Sequence, residues 1–174
     1  METVILVDEQ DHQIGVMEKM EAHEKALLHR AFSVFIFNDN GEMLLQQRAF
    51  EKYHSGGLWT NACCSHPRSN EETNDAAIRR LKEEMGFETT LTKVFDFVYK
   101  AAFDNGLTEY EFDHVFVGKY NGIILANKAE VQSFEYKTID AIAAELALDN
   151  NHYTAWFRIA FPKIQQWYKE SIKS

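Results

Sequence analysis

The chain has 174 residues, of which 45% are hydrophobic, and its 18 Lys and Arg residues against 27 Asp and Glu residues give a formal net charge of −9. We expect a chain of this length to form a single domain that spans residues 1–174. The acidic balance argues against a general nucleic-acid surface and against binding to an anionic membrane, because both require positive potential. An anionic ligand would need local cations or a metal ion.

The first residues, METVILVDEQDHQIG, lack a basic segment followed by a long apolar one, and the sequence has no run of 18 apolar residues. These features predict neither export nor membrane insertion. We therefore expect a cytoplasmic protein with reduced cysteines. The sequence leaves its oligomeric state open.

Strands are predicted through the first part of the chain. The segment VILVDEQDHQIGVMEK indicates a strand, a polar turn that ends at Gly15, and a second strand. After a helical or loop stretch, EAHEKALLH, the segment RAFSVFIFNDNGEMLLQQRA predicts a hairpin. Its turn contains Asn40 and Gly41, a pair that tolerates the positive φ of tight hairpin turns.

A helix is predicted over SNEETNDAAIRRLKEEMGF. Polar residues at its start supply caps, Ile78, Leu81 and Met85 recur at helical spacing, and Gly86 stands where a C-terminal glycine belongs. The opposite face of this helix is charged, which is typical of an amphipathic helix whose apolar face packs against the core.

Strands are also predicted in the second half of the chain. KVFDFVYKAAF and LTEYEFDHVFVGKY predict a strand pair around a turn at Gly106. A further strand and helix follow from residue 131, and AWFRIAFPKIQQWYKESI predicts a closing amphipathic helix interrupted near Pro162. Together these elements indicate an α+β fold with a mixed or antiparallel β-sheet flanked by helices.

The two cysteines of the chain are neighbours, in WTNACCSHP. Adjacent cysteines rarely reach disulfide geometry without strain. In an extended segment side chains alternate, so Cys64 shares a face with His66 while Cys63 points the other way. We therefore expect Cys64 to be the chemically active thiol and Cys63 to be a small core residue.

Glu109 and Glu111 share one face of the strand TEYEFDHVF. Neighbouring carboxylates repel unless a cation or a proton lies between them. His23, His29 and His66 could join them in a site for manganese, iron, magnesium or zinc. The alternative is an exposed strand face with paired acids. The other histidines are expected at the surface or satisfied in the core: His12, His54, His114 and His152.

Residues 65–87 resemble the Nudix box, a loop and helix whose carboxylates are aimed at Mg²⁺ bound to a diphosphate. The pattern is Gly, five residues, Glu, seven residues, Arg-Glu, an apolar residue, any residue, Glu-Glu, any residue, Gly and an apolar residue. Two positions depart from it: Ser65 replaces the first Gly, and Arg80 replaces an acid through which Nudix hydrolases hold their metal. The matching residues are Glu71, Arg79, Leu81, Glu83, Glu84, Gly86 and Phe87.

A narrower resemblance accounts for these departures. The segments WTNACCSHP, EAHEKALLHRAFS, TEYEFDHVF and IRRLKEEMG together resemble type I isopentenyl-diphosphate isomerase. This Nudix-fold family interconverts isopentenyl and dimethylallyl diphosphates. The resemblance implies that Cys64 is the catalytic cysteine, that Glu111 is the catalytic glutamate, and that Tyr99 is a hydrogen-bonding partner of that glutamate.

The same resemblance implies the binding residues and cofactors. Trp156 would offer an aromatic face to the substrate, and Mg²⁺ would enter with the diphosphate, held partly by Glu84. Mn²⁺ or another divalent ion would occupy a site formed by His23, His29, His66, Glu109 and Glu111. The diphosphate itself would contact Lys19, Arg48, Lys52 and Arg80.

Two other functions are compatible with the same residues. One is a Nudix diphosphatase that acts on a nucleoside diphosphate derivative, against which Arg80 and Cys64 argue. The other is a non-catalytic Nudix domain that binds metal and diphosphate without turnover. Only turnover separates this second function from an isomerase.

Overall fold

A computed structural model describes residues 2–148 and 151–173 and confirms an α+β fold. The first elements in chain order are strands β1 (Thr3–Val7) and β2 (Gln13–Glu18), helix α1 (Lys19–Glu24), and strands β3 (His29–Phe37), β4 (Glu42–Arg48), β5 (Trp59–Thr60) and β6 (Cys63–Ser65). They are followed by α2 (Thr73–Met85), β7 (Thr92–Ala102), β8 (Thr108–Lys119), β9 (Val131–Thr138), α3 (Ile139–Leu148) and α4 (Ala155–Lys173).

Strand β3 is the centre of a mixed sheet. It pairs in parallel with β8 over nine positions, from His29 opposite Glu111 to Phe37 opposite Lys119. It also pairs antiparallel with β6, where Ser33 lies opposite Cys64. Strand β7 extends the sheet beyond β8, and β9 pairs antiparallel with β4. The strands that carry the predicted cysteine and glutamate therefore both adjoin β3.

The core has two apolar layers, one on each face of the sheet. Along β3, Phe32, Val34 and Ile36 pack toward helix α2, while Phe35 and Phe37 pack toward helix α4. This alternation follows from the two-residue period of a strand. All five side chains are buried, so β3 is apolar on both faces, as expected for a central strand.

Helix α2 ends as predicted at Gly86, which adopts the left-handed conformation with φ of 75°. Its buried face includes Ala77, Leu81 and Met85. The helix begins at Thr73 rather than at Ser69, because Glu72 is still extended, with ψ of 139°. The loop before the helix therefore begins directly after β6, with His66.

Two details of the first four strands differ from the sequence predictions. Gly15 lies within β2 rather than at the end of the turn. The turn ending at Gly41 does join antiparallel strands, but β3 and β4 pair only at Phe37 and Met43. They then diverge, because β3 pairs with β6 and β8 while β4 pairs with β5 and β9.

Helix α4 continues through Pro162, so the predicted interruption is wrong. Proline removes one helical N–H, which would have bonded the carbonyl of Arg158. Both Pro162 and Arg158 are exposed, so water can satisfy that carbonyl, and the buried Phe161 and Ile164 hold the helix against the sheet. Across the described part of the chain, every helix is too short or too polar to cross a membrane.

Candidate active site

One cleft with about 630 Å³ of empty space brings together most of the residues that the sequence singled out. Its cations are Lys19, Arg48, Lys52 and Arg80, and its carboxylates are Glu2, Glu84, Glu109, Glu111 and Glu130. The remaining lining residues are Tyr53, His54, Cys64, Ser65, His66, Tyr99 and Trp156. The predicted ligands His23 and His29 lie behind this surface and are completely buried.

A buried cluster of three histidines and Glu111 forms the floor of the cleft. Nε2 of His66 lies 2.8 Å from Oε2 of Glu111, and Nε2 of His29 lies 3.2 Å from the same oxygen. The potential ligand atoms of His23, His29, His66 and Glu111 all lie within 4.8 Å of one another. These nitrogen and oxygen atoms are close enough together to bind one metal ion.

The hydrogen bonds on the far side of two rings favour a metal ion in this cluster. Nδ1 of His23 lies 2.7 Å from the carbonyl of Lys19, and Nδ1 of His29 lies 2.8 Å from the carbonyl of Leu27. Because a carbonyl only accepts, each Nδ1 carries a hydrogen, which leaves the Nε2 lone pair of a neutral ring directed into the cluster. Among residues 2–148 and 151–173, none gives Nε2 of His23 a hydrogen-bond partner. A divalent cation fits this set of lone pairs and carboxylate oxygens.

His54 also lines the cleft, although nothing in the sequence around it indicates this. It lies in the loop between β4 and β5, where its ring stacks on Phe103 with centroids 4.5 Å apart. Its Nε2 lies 3.3 Å from Oε2 of Glu109, and these two residues form a second potential ligand group with His23. The interpretation of His54 as an ordinary surface or core histidine therefore misses its place beside Glu109.

The two glutamates of β8 are buried, not exposed, so the alternative of a solvated strand face is wrong. Burial acts to raise the pKa of Glu111, but the hydrogen bonds that the protonated rings of His29 and His66 donate to it outweigh burial and hold that pKa well below its ordinary value. Tyr99 of β7 donates its hydroxyl hydrogen to this pair: it lies 3.1 Å from Glu109 and also bonds Glu111. Glu111 is therefore a carboxylate in the resting site.

The adjacent cysteines point in opposite directions, as strand alternation predicts. Cys64 lines the cleft, whereas Cys63 is fully buried in the core beneath helix α2. Sγ of Cys63 donates to Oε2 of Glu84 at 2.7 Å, a contact that the sequence did not suggest. Burial, followed by the charge of Asp113, raises the pKa of Cys64, so its thiol is protonated at neutral pH.

At one end of the cleft, Arg80 of helix α2 and Lys52 of the loop after β4 lie close together; we call this the cationic end. Nη2 of Arg80 lies 2.8 Å from Oε1 of Glu130 and 3.3 Å from Oε1 of Glu84. Lys52 reaches the same Glu130 oxygen at 3.4 Å. Burial raises the pKa of Glu84, although the charge of Arg80 opposes this effect. Two cations and two carboxylates thus meet at one end, which suits an anion accompanied by a metal ion.

Two more cations approach from other elements and lie over aromatic rings. The guanidinium of Arg48 lies 5.1 Å from the ring centroid of Trp156, and Nζ of Lys19 lies 4.7 Å from that of Tyr53. Nζ of Lys19 also lies 2.8 Å from Oε2 of Glu2. These contacts hold the long side chains above the cleft rather than in bulk solvent.

Comparisons with known proteins agree with this geometry. Residues 27–157 match the family model of the NUDIX domain. The isopentenyl-diphosphate Delta-isomerase of Pectobacterium atrosepticum is 51% identical over 166 residues, which cover 95% of this chain and 93% of that protein. The enzyme of the same name from Burkholderia multivorans is 46% identical, with 95% and 97% covered.

This chain belongs to the isopentenyl-diphosphate Delta-isomerase family.

Solved structures show how far the fold alone extends. A protein from Deinococcus radiodurans superposes with a TM-score of 0.78 at 17% identity, covering 93% of this chain and 98% of that one. The MutT protein of Methanosarcina mazei gives a TM-score of 0.67, also at 17% identity, with 82% and 96% covered. This chain therefore shares its fold with proteins of very different sequence.

The cleft of this isomerase-family chain makes a prediction about metal content. After dialysis the protein should retain one divalent ion, and His66→Ala should lose it, because a buried ligand is removed. We expect the loss in affinity to exceed the roughly 10–100-fold that removal of an outer hydrogen-bond partner costs. Elemental analysis of the dialysed proteins measures this.

His114→Ala is the matched control, since His114 is a buried histidine outside the cleft, with Nε2 2.9 Å from Oδ2 of Asp11. It should retain the metal. Equal metal content in His66→Ala and the parent protein would remove His66 from the ligand set.

Proposed function

We propose that this chain interconverts isopentenyl diphosphate and dimethylallyl diphosphate by proton transfers at Cys64 and Glu111. The family and its curated relatives support the reaction. The observation that carries the residue assignment is the placement of Cys64 and Glu111 in one cleft, on strands β6 and β8, which both adjoin β3. Two such groups are needed because the reaction adds a proton at one carbon of the substrate and removes a proton from another.

Moving the double bond of an unactivated alkene requires a proton to be added at one carbon and removed from another. The raised pKa of Cys64 keeps a proton on its thiol, and the lowered pKa of Glu111 leaves it ionised, so one group holds a proton to donate and the other can accept one. After one turnover each group has changed its protonation state, so either can act as acid or base according to direction. Cys64 and Glu111 would approach the alkene from different strands.

The positive charge that develops on the substrate would need protection from water. Tyr99, Trp156 and Tyr53 line the cleft, and their rings can stabilise a cation while excluding solvent. Tyr99 additionally donates to Glu111, which fixes the direction of the carboxylate. Its hydroxyl remains protonated, because burial raises the pKa of Tyr99.

We assign the histidine and carboxylate cluster, His23, His29, His66, Glu109 and Glu111, to Mn²⁺ or another divalent ion. A bound divalent ion would supply positive charge that favours the ionised form of Glu111. The chain's own part is to hold the ligands: backbone carbonyls orient His23 and His29, and Tyr99 orients the two glutamates. His54 is added here as a further candidate, because its ring faces Glu109.

We assign the cationic end to the diphosphate. Lys19, Arg48, Lys52 and Arg80 would bind its oxygens, and Mg²⁺ would enter with it and be held partly by Glu84. Glu130 pairs with both Arg80 and Lys52, so the diphosphate would compete with this carboxylate for the two cations. We further infer that the enzyme works in the cytoplasm, since Cys63 and Cys64 are both free thiols, which a reducing compartment maintains.

The experiment that tests this function is incubation with isopentenyl diphosphate and, separately, with a panel of nucleoside diphosphate derivatives. We expect dimethylallyl diphosphate from the first and no released phosphate from either. Phosphate release from the nucleotides would favour the diphosphatase. Binding of metal and diphosphate without any turnover would identify a non-catalytic domain.

Arg80→Gln should lower kcat/KM by roughly the 2–5 kcal/mol that truncation of one partner in a buried charge pair costs. The reason is that Arg80 would bind the diphosphate directly, and its loss also leaves Glu84 and Glu130 without their shared cation. Steady-state kinetics with isopentenyl diphosphate measure the change. The control is Lys82→Gln on the same helix, where the Lys82 side chain is 67% exposed. Equal kcat/KM in both variants would refute the role of Arg80.

A further inference from the structure

Asn61, between β5 and β6, is held in one orientation beside Cys64. It is completely buried. Its Nδ2 donates to the carbonyl of Val34 at 2.9 Å and to the carbonyl of Cys63 at 3.0 Å. Since carbonyls only accept, the NH₂ group must face them and Oδ1 must face the opposite way. Oδ1 lies 3.2 Å from Sγ of Cys64.

Ser33 presents a second acceptor to the same sulfur. It lies opposite Cys64 in the ladder between β3 and β6. A serine hydroxyl has one hydrogen, and Ser33 donates it to Oδ2 of Asp113 at 2.7 Å. The oxygen lone pairs of Ser33 therefore remain for Cys64, whose Sγ lies 3.4 Å away.

Cys64 is thus faced by two fixed acceptors whose own hydrogens are already used. We propose that Asn61 and Ser33 are positioning residues, which hold the Cys64 side chain in one rotamer and so keep its sulfur within reach of the alkene. This inference rests on the proposed isomerase function. Neither Asn61 nor Ser33 lines the cleft, so both would act through Cys64 rather than by touching the substrate.

A flexible thiol needs such positioning. A cysteine side chain has three staggered rotamers, and without partners it would sample more than one of them. Reaction of groups held in a near-attack geometry is far faster than reaction of mobile ones, and a displacement of about 1 Å can cost on the order of 10²-fold in rate. Loss of the two acceptors should therefore lower kcat more than it changes substrate binding.

The S–H stretching band in the infrared spectrum reports this arrangement directly, because its frequency falls when a thiol donates a hydrogen bond. The difference spectrum between the parent protein and Cys64→Ala isolates the Cys64 band. The thiol of Cys63, bonded to Glu84 at 2.7 Å, provides an internal reference in the same spectrum.

Asn61→Ala should shift the Cys64 band to higher frequency and lower kcat with isopentenyl diphosphate by about 10-fold to 100-fold, with KM changed by no more than about twofold. Ser33→Ala should act in the same direction to a smaller extent. It deletes a single hydroxyl, so it keeps the test available where Asn61→Ala fails to fold. Ser33→Thr retains the hydroxyl and should restore both the band position and most of kcat.

An unshifted Cys64 band in Ser33→Ala and in any folded Asn61→Ala would overturn the inference. So would a shifted band with unchanged kcat, since the thiol orientation would then have no part in the reaction. Failure of the parent protein to convert isopentenyl diphosphate would instead overturn the proposed function, because the band is measured without substrate.

Discussion

Cys64→Ala is expected to lower kcat for isomerisation by roughly 10²–10⁴-fold, the usual contribution of a positioned acid or base. Cys64 lines the cleft, and its raised pKa keeps it protonated, so under the proposed function its replacement removes the group that exchanges a proton with one of the two reacting carbons. KM should change much less, because the contacts assigned to the diphosphate come from other residues. Steady-state kinetics, with folding checked by thermal unfolding, give the answer.

The neighbouring cysteine supplies a matched control. Cys63→Ala should retain most of the activity, because Cys63 is fully buried in the core and does not itself line the cleft. An alkylating reagent should likewise label Cys64, and substrate should slow the labelling. Equal loss of kcat in the two folded variants, or labelling confined to Cys63, would disprove the assignment of Cys64.

Glu111→Gln is expected to have a comparably large effect, a fall in kcat of roughly 10²–10⁴-fold, together with a loss of bound divalent metal. Glutamine keeps the size of the side chain but has neither the negative charge nor the basicity of the carboxylate. Kinetics and elemental analysis on the same preparation separate the two consequences. Excess divalent metal should restore metal binding in part without restoring kcat.

Tyr99→Phe is a milder change at the same site, against which the effect of Glu111→Gln can be compared. It removes one hydrogen bond to each glutamate but leaves both carboxylates in place, so its fall in kcat should be smaller and its metal content unchanged. If added metal fully restored kcat in Glu111→Gln, Glu111 would be a metal ligand only and would take no part in proton transfer.

Local periodicity in the sequence was enough to predict which side chains share a face. Alternation along a strand predicts that Cys64 and His66 share a face, that Cys63 and Ser65 point the other way, and that Glu109 lies with Glu111. These predictions are confirmed except for Ser65, which lines the cleft beside Cys64 and His66. The signal is reliable here because a strand has a period of two regardless of its partners. Helix α2 and its end at Gly86 follow in the same way from helical spacing and from glycine's tolerance of positive φ.

Contacts across the sheet could not be derived from this periodicity. His29 and Glu111 are 82 residues apart, and they meet because β3 and β8 pair in parallel. The resemblance to a known family grouped them, whereas spacing alone left an ordinary surface as an open alternative. The register of two distant strands depends on the whole core, which a local pattern does not encode.

The remaining features of the site and the fold carry no local signal in the sequence. His54 lies in a loop without regular structure, so no period indicates that its ring turns inward onto Phe103. Asn61 and Ser33 contact Cys64 only once β6 is paired with β3. Pro162 was taken to interrupt α4, but tertiary packing of Phe161 and Ile164 outweighs the loss of one helical hydrogen bond on an exposed face.

The most direct measurement is conversion of isopentenyl diphosphate in D₂O, followed by mass spectrometry of the product. Because one group on the protein donates a proton that has exchanged with solvent and a second group removes another, the dimethylallyl diphosphate formed in a single conversion should carry one deuterium. Cys64→Ala and Glu111→Gln should form almost none of it. A product without deuterium, or release of phosphate in place of an isomer, would contradict proton transfer by Cys64 and Glu111.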